Sequence, residues 1–282
     1  MRLPAYARCA DSRCLLLLAS ALLCEPIFGQ TTSDPNQDTQ EMKVFKNPFA
    51  QTLAFWFEFD TARPIGDYSR VQNLFSLTSI IPIPLGTKWD LITKSAISAV
   101  SQPDLMNPRG SAWKLSDFTT SFYFSPDKKG LLQWGVGPTF LLPTATGQDV
   151  GNSKWGAGPA GAVFAEPGKW TLGVELSDLR SFAGDRTRPD VHYANLQYFV
   201  TYNLSKGWYV TTQPQTSADW TMPREDRWLM PVGFGVGKAT TFGKRQVSGE
   251  LDGYYNIVHP STLPYPKWII TLQFTFARRN FL

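Results

Sequence analysis

Residues 267–276 alternate strictly. Trp268, Ile270, Leu272, Phe274 and Phe276 fall on one face, and Thr271, Gln273 and Thr275 share the other with Ile269. A period of two sends successive side chains to opposite sides of an extended chain, so this segment reads as a strand with one greasy and one polar face. The pattern recurs in about twelve segments, at 53–59, 71–83, 89–100, 116–124, 131–142, 154–165, 169–178, 192–204, 207–219, 228–238, 246–257 and 267–276. Each has the length that a tilted strand needs to cross a bilayer, about ten residues.

The connections sort into two kinds. Five carry a glycine close to a lysine: Gly86-Thr87-Lys88-Trp89, Lys128-Lys129-Gly130, Pro167-Gly168-Lys169-Trp170, Ser205-Lys206-Gly207-Trp208 and Phe242-Gly243-Lys244-Arg245. Glycine supplies the positive φ of a tight hairpin and lysine keeps the turn in water. Trp89, Trp134, Trp170 and Trp208 then sit where an amphipathic ring marks a membrane interface. The intervening connections are longer and polar: 61–67, 102–112, 144–153, 182–190, 221–227 and 260–267. An even strand count with short turns at one rim and long loops at the other predicts a transmembrane antiparallel up-and-down β-barrel, with both termini on the short-turn, periplasmic side. A β-propeller needs four short strands per 40-residue period where this chain has two long ones. A β-sandwich matches the alternation but leaves the alternating loop lengths unexplained.

Three stretches are expected. Residues 1–29 read as a signal peptide, with Arg2, Arg8 and Arg13 before an apolar run from Cys14 to Leu23 that is too short to span a bilayer as a helix. Residues 30–50 form a polar leader that is a candidate lumen plug, and 51–282 form the barrel. All three cysteines fall in the signal segment, which leaves the barrel to be held by its core and hydrogen bonds. A net charge of +4 is too mild to argue for nucleic acid.

Two residue types fit the barrel awkwardly. Pro138, Pro159, Pro214 and Pro231 fall inside expected strands, where each removes a ladder hydrogen bond, so bulges are expected there. Gly135, Gly137, Gly156, Gly158, Gly233 and Gly235 share inner faces. Strand curvature is the simpler reading. The other is a smooth inner wall against which 41–51 packs.

Several runs resemble a family of bacterial outer-membrane barrels grouped with the phenol meta-cleavage-pathway proteins, some of whose members are mislabelled neuromedin U. They are Trp89-Asp90-Leu91-Ile92-Thr93-Lys94 with Ser101-Gln102-Pro103-Asp104, the run 134–144, the run 154–159, the run 181–185, the run 202–209, and 233–238 with Tyr254-Tyr255-Asn256. The resemblance covers roughly 47–276. It implies the barrel, a transporter-like role in passage of small, hydrophobic or aromatic molecules, and in-strand prolines as a family habit. Arg180, where an aromatic is expected, and the basic tail after the last strand depart from it.

Chemistry is expected to be that of a channel and not an enzyme. His192 begins a strand beside a long loop, His259 opens another loop, and no G-x-S-x-G pattern is present. Neither a metal nor a cofactor is expected. Glu58, Lys94, Asp117, Tyr123, Glu175, Gln197, Tyr209, Gln213, Glu250, Asp252 and Tyr254 are the candidate lumen and solute-pathway residues. Acids outnumber lysine among them, which favours cations, and the tyrosines offer a path for aromatic solutes. Arg109, Arg186, Arg188, Arg224 and Arg227 in the long loops are candidate contacts for lipopolysaccharide phosphates. The expected location is the cell outer membrane, with outer-membrane lipids, a small-molecule solute and the barrel-assembly machinery as partners. A non-conducting barrel whose loops bind a partner or lipopolysaccharide is the alternative.

Overall fold

The computed structural model describes residues 46–50, 52–104, 107, 109–127, 130–242, 245–261 and 265–279. The expected signal peptide and most of the polar leader lie outside these residues. Fourteen hydrogen-bonded segments build one sheet. Two pairs of segments each run along the same neighbour with a short interruption, so the barrel has twelve strands. They are β1 (Thr52–Ile65), β2 (Arg70–Leu85), β3 (Trp89–Pro103), β4 (Ser111–Leu115 and Phe118–Pro126), β5 (Leu132–Leu142), β6 (Lys154–Ala165), β7 (Trp170–Gly184), β8 (His192–Asn203), β9 (Trp208–Thr212 and Gln215–Asp219), β10 (Trp228–Phe242), β11 (Arg245–Val258) and β12 (Trp268–Arg279). Every strand pairs antiparallel with its sequence neighbours. β1 closes the sheet on β12 from Thr52↔Arg279 to Arg63↔Trp268.

Closure removes the free edges that a flat sheet would expose. It also makes the inner and outer faces physically different solvents, which explains the alternation. Leu251, Ile270, Leu272, Phe274 and Phe276 point outward and are exposed, whereas Glu250, Asp252, Thr271, Gln273 and Thr275 point inward and are buried. The expected facing holds along each strand for which it was read.

Three of the five short turns are as expected, while Lys128-Lys129 and Gly243-Lys244 of the other two lie outside the described residues. Gly86, Gly168 and Gly207 adopt positive φ in those three turns. Trp89 and Trp134 meet edge to face at 6.4 Å, and Trp170 packs on Tyr202 with its ring tilted, at 4.7 Å. A second aromatic belt, absent from the sequence reading, runs around the long-loop rim: Trp113, Trp155 and Trp268 are exposed, Trp268 packs on Tyr255 and Trp220 on Trp228. Two belts flanking an apolar band are the surface a bilayer requires.

The first long loop is a correction. Residues 61–65 are still strand, pairing with β2 through Ala62↔Gln72 and Ile65↔Arg70, and only 66–69 turn. Buried Ala62 and Ile65 hold this extension together. The prolines behave largely as expected. Pro214 sits in the interruption of β9 and Pro231 at a register shift in β10. Pro138 and Pro159 face each other across β5 and β6, and the ladders on their other sides are broken there.

The long loops are cross-tied. Arg70 donates to the carbonyls of Asn107 and Gly110, and Lys114 pairs with Asp149 at 2.7 Å. The Asp226 carboxylate accepts from Ser261 N and Oγ at 2.7 and 2.9 Å. Hydrogen bonding from Lys114 holds the Asp149 carboxyl below the usual carboxylate range.

Candidate functional site

The lumen is not an open tube. Lys46–Ala50 folds back into it from the start of β1. Asn47 makes the turn, accepting Phe49 N on its side chain at 2.9 Å and Ala50 N on its carbonyl at 3.2 Å. An Asn-Pro pair favours turn initiation, and the asparagine side chain mimics a backbone turn. The same Asn47 side chain donates outward to Gln133 and Glu166 at 3.0 and 2.7 Å.

Phe49 drives the segment home. It is buried and sits edge-on to Tyr123 and Phe164, each 6.0 Å away. Phe164 continues to Phe199 at 5.2 Å. These rings form an aromatic layer across the short-turn half of the barrel. Gly135 lies opposite: a Cβ there would meet Phe49 Cε1 at 2.6 Å. The second reading of the inner glycines thus holds at Gly135. Elsewhere the glycines admit neighbouring strands, as Gly237 does for the ring of Tyr209 and Gly156 for Leu179.

Nine of the eleven candidate lumen residues lie on inner faces of strands, Asp117 and Gln213 lie in the interruptions of β4 and β9, and most converge on two lysines. Lys46 pairs with Glu250 at 2.7 Å, donates to Gln213 at 2.9 Å and lies 5.7 Å from the centre of the Tyr209 ring. Gln213 in turn donates to Glu250 and Gln273, each at 2.8 Å. Its backbone oxygen accepts from Gln197, and Tyr254 donates to Asp252 at 3.3 Å. Lys94 pairs with Glu175 at 2.7 Å and lies 5.5 Å from the Trp56 ring centre, while Tyr123 donates to the other Glu175 oxygen at 2.8 Å. Glu58 lies within electrostatic reach of both lysines.

Asp117 does something different from solute handling. Its carboxylate accepts the backbone amides of Ala145 and Asn152, at 3.2 and 2.6 Å, and so pins the 143–153 loop over the mouth. Above the lysine level, Leu141, Leu179 and Val191 form a small apolar cluster joined by Tyr193. Between this cluster and the aromatic layer lies a cavity of about 190 Å³, lined by residues that include Trp56, Glu58, Lys94, Glu175, Tyr193 and Gln197.

Sequence reasoning missed Lys46, Asn47 and Phe49 as individual contacts, though it flagged their segment. It also left out Gln273 and Trp56, whose inward parity was readable.

The loop arginines divide. Arg109, Arg186 and Arg224 are exposed. Arg188 donates to the carbonyls of Gln148 and Gly151, and Arg227 lies over the Trp220 ring at 5.0 Å, so both serve the loops themselves. His192 contacts Asp178 at 3.2 Å on the outer face, beside Trp220, whose Nε1 donates to the other Asp178 oxygen. Among the described residues no group of three His, Cys, Asp or Glu could hold a metal ion.

No protein-family model matches the sequence, and no curated protein matches it. Solved structures do. An outer-membrane channel from Pseudomonas putida F1 superposes with a TM-score of 0.58 at 12% identity, over 80% of this chain and 94% of that one. The monoaromatic hydrocarbon channel CymD gives 0.44 at 8% identity, over 90% and 95%, and the outer-membrane phospholipase A of Escherichia coli 0.42 at 12%, over 89% and 100%. The first of these supports the barrel fold.

Proposed function

We propose that this chain is an outer-membrane channel for passive passage of small solutes with apolar or aromatic bodies, closed towards its short-turn rim by residues 46–50. The observation that carries this reading is the cavity of about 190 Å³ held inside a closed wall that is apolar outside and polar within. Trp56 and Tyr193 line the cavity and give the pathway its aromatic surface, whereas Tyr123, Tyr209 and Tyr254 are buried among their lumen partners; the carboxylates give the pathway a preference for cations. A signal peptide at 1–29 and delivery by the barrel-assembly machinery belong to the same reading.

The test is conductance in planar bilayers. The full chain is expected to pass little current, and a chain lacking residues 30–50 is expected to pass distinctly more. If neither passes ions or solute, the passage reading fails.

The buried pairs Lys46–Glu250 and Lys94–Glu175 across the middle of the lumen favour a second reading, a non-conducting barrel. Its loops would bind a partner or lipopolysaccharide phosphates, through Arg109, Arg186 and Arg224, with Arg188 and Arg227 ordering the surface. Charge reversal of Arg109 and Arg186 should then reduce the lipopolysaccharide that co-purifies, and unchanged co-purification rejects that contact.

A further inference from the structure

Lys46 sits in a site built around a pair of acids on one strand. Its ammonium meets Glu250 at 2.7 Å, with both side chains almost fully buried. Asp252, the next inward position on β11, is 2% exposed, accepts from Tyr254 at 3.3 Å and lies in hydrogen-bond reach of Glu250. Asp252 feels the charge of Lys46, and Glu58 on β1 feels those of both Lys46 and Lys94. Lys94, the other lumen cation here, is engaged by Glu175. Lys46 is thus the near cation for Glu250 and Asp252.

A buried carboxylate is costly unless a cation answers it, and each ion removed from water loses several kcal/mol of hydration in effective terms. The remaining walls narrow the kind of cation. Gln213 offers an amide oxygen at 2.9 Å, which suits an N–H donor, and the Tyr209 ring lies 5.7 Å from Nζ, an attraction that favours organic ammonium.

We propose that Glu250, Asp252, Gln213 and Tyr209 form a binding site for primary-ammonium solutes, which Lys46 occupies from within the same chain. The inference deepens the passage reading and rests on it: the solute class becomes small amines with an apolar body, and the plug is their tethered competitor. A ligand on a short tether presents itself at an effective concentration on the order of millimolar. A free amine below that level therefore loses to Lys46, and a higher concentration displaces the segment.

The probe is n-butylammonium, which is the lysine side chain cut at Cα. It is titrated calorimetrically into the full chain in lipid nanodiscs at constant ionic strength, with K⁺ and n-butanol as controls. Lys46→Gln is expected to bind it about tenfold or more tightly than the unmodified chain, because the tethered competitor is gone. Lys46→Gln/Glu250→Gln is expected to lose the binding. Equal binding to the single variant and the unmodified chain, retention in the double variant, or K⁺ binding as well as the amine would overturn the site.

A second measurement needs no substitution. In the unmodified chain, n-butylammonium and neither control should speed protease cutting before Phe49; unchanged cutting overturns the proposal even if Lys46→Gln fails to fold. Neither readout requires conduction. Binding without current from the chain lacking 30–50 rejects the passage reading alone, and current without amine binding rejects this site alone.

Discussion

Phe49 occupies the volume that a side chain at position 135 would need: a Cβ built on Gly135 falls 2.6 Å from Phe49 Cε1 and 3.0 Å from Tyr123 Cβ. The plug and the wall are complementary at that point, and one methyl group should separate them.

Gly135→Ala is therefore expected to dislodge Phe49 while leaving the barrel folded. Overpacking of this kind costs about 1–3 kcal/mol, and here the plug can absorb it by leaving. Limited proteolysis before residue 50 should accelerate, and bilayer current should rise if the passage reading holds. Undiminished protection of 46–50 would show that Phe49 has another seat.

Facing can be tested by one charge placed on either side of the wall. Leu272→Arg puts a cation on the lipid side midway between the two aromatic belts and should cost about 2–4 kcal/mol. Gln215→Arg lines the cavity and should be far milder. Gln273 is the wrong control despite its inward parity, since it is 2% exposed and bonded to Gln213. Urea unfolding of both variants in vesicles gives the comparison, and equal losses would contradict the assignment.

Lys94 and Glu175 should depend on each other. Removing one partner of a buried pair leaves a charge unanswered, at about 3–5 kcal/mol when burial is complete. These side chains are 16% and 15% exposed, so a smaller loss of about 1–3 kcal/mol is expected after solvent screening. Lys94→Met and Glu175→Gln should each be more damaging than additivity with the double variant allows. Additive losses in the double-mutant cycle would mean that the pair contributes little.

Asp117 should control one loop and little else. Asp117→Ala removes the acceptor for the amides of Ala145 and Asn152, and hydrogen bonds to a charged group contribute about 1.5–3 kcal/mol. Proteolysis and hydrogen exchange should rise within 143–153, with the strand amides unaffected. Protection that persists in the loop would move its anchor to Arg188, which holds Gln148 and Gly151.

The barrel was legible because its two faces meet different solvents and parity reports this residue by residue. Leu272 and Gln273, adjacent in sequence, could be sent to opposite sides with no further information. Parity carries no height, however, and says nothing about which inner residues meet across the lumen. Lys94 and Glu175 are 81 positions apart, and Lys46 and Gln213 are 167 apart. Their union depends on strand tilt and stagger, which no local pattern encodes. The second aromatic belt was missed for a related reason: only the short turns were read as marking a rim, and Trp113, Trp155 and Trp268 follow long loops, although Gly151 and Lys154 precede Trp155 much as a glycine and a lysine precede Trp89. Polar inner residues were read as lining, and many prove to be partners of one another.

The contacts of the 46–50 segment also impose an order of events. Lys46 reaches β9 and β11, Asn47 reaches β5 and the turn after β6, and Phe49 rests on β4, β5 and β6. No single hairpin presents all of these surfaces, and Glu250 comes into place only with the last strands. The segment lies just ahead of β1, yet its seat is completed near the end of assembly. Its docking therefore reports that the cylinder has closed, and a stalled assembly intermediate would carry this peptide loose.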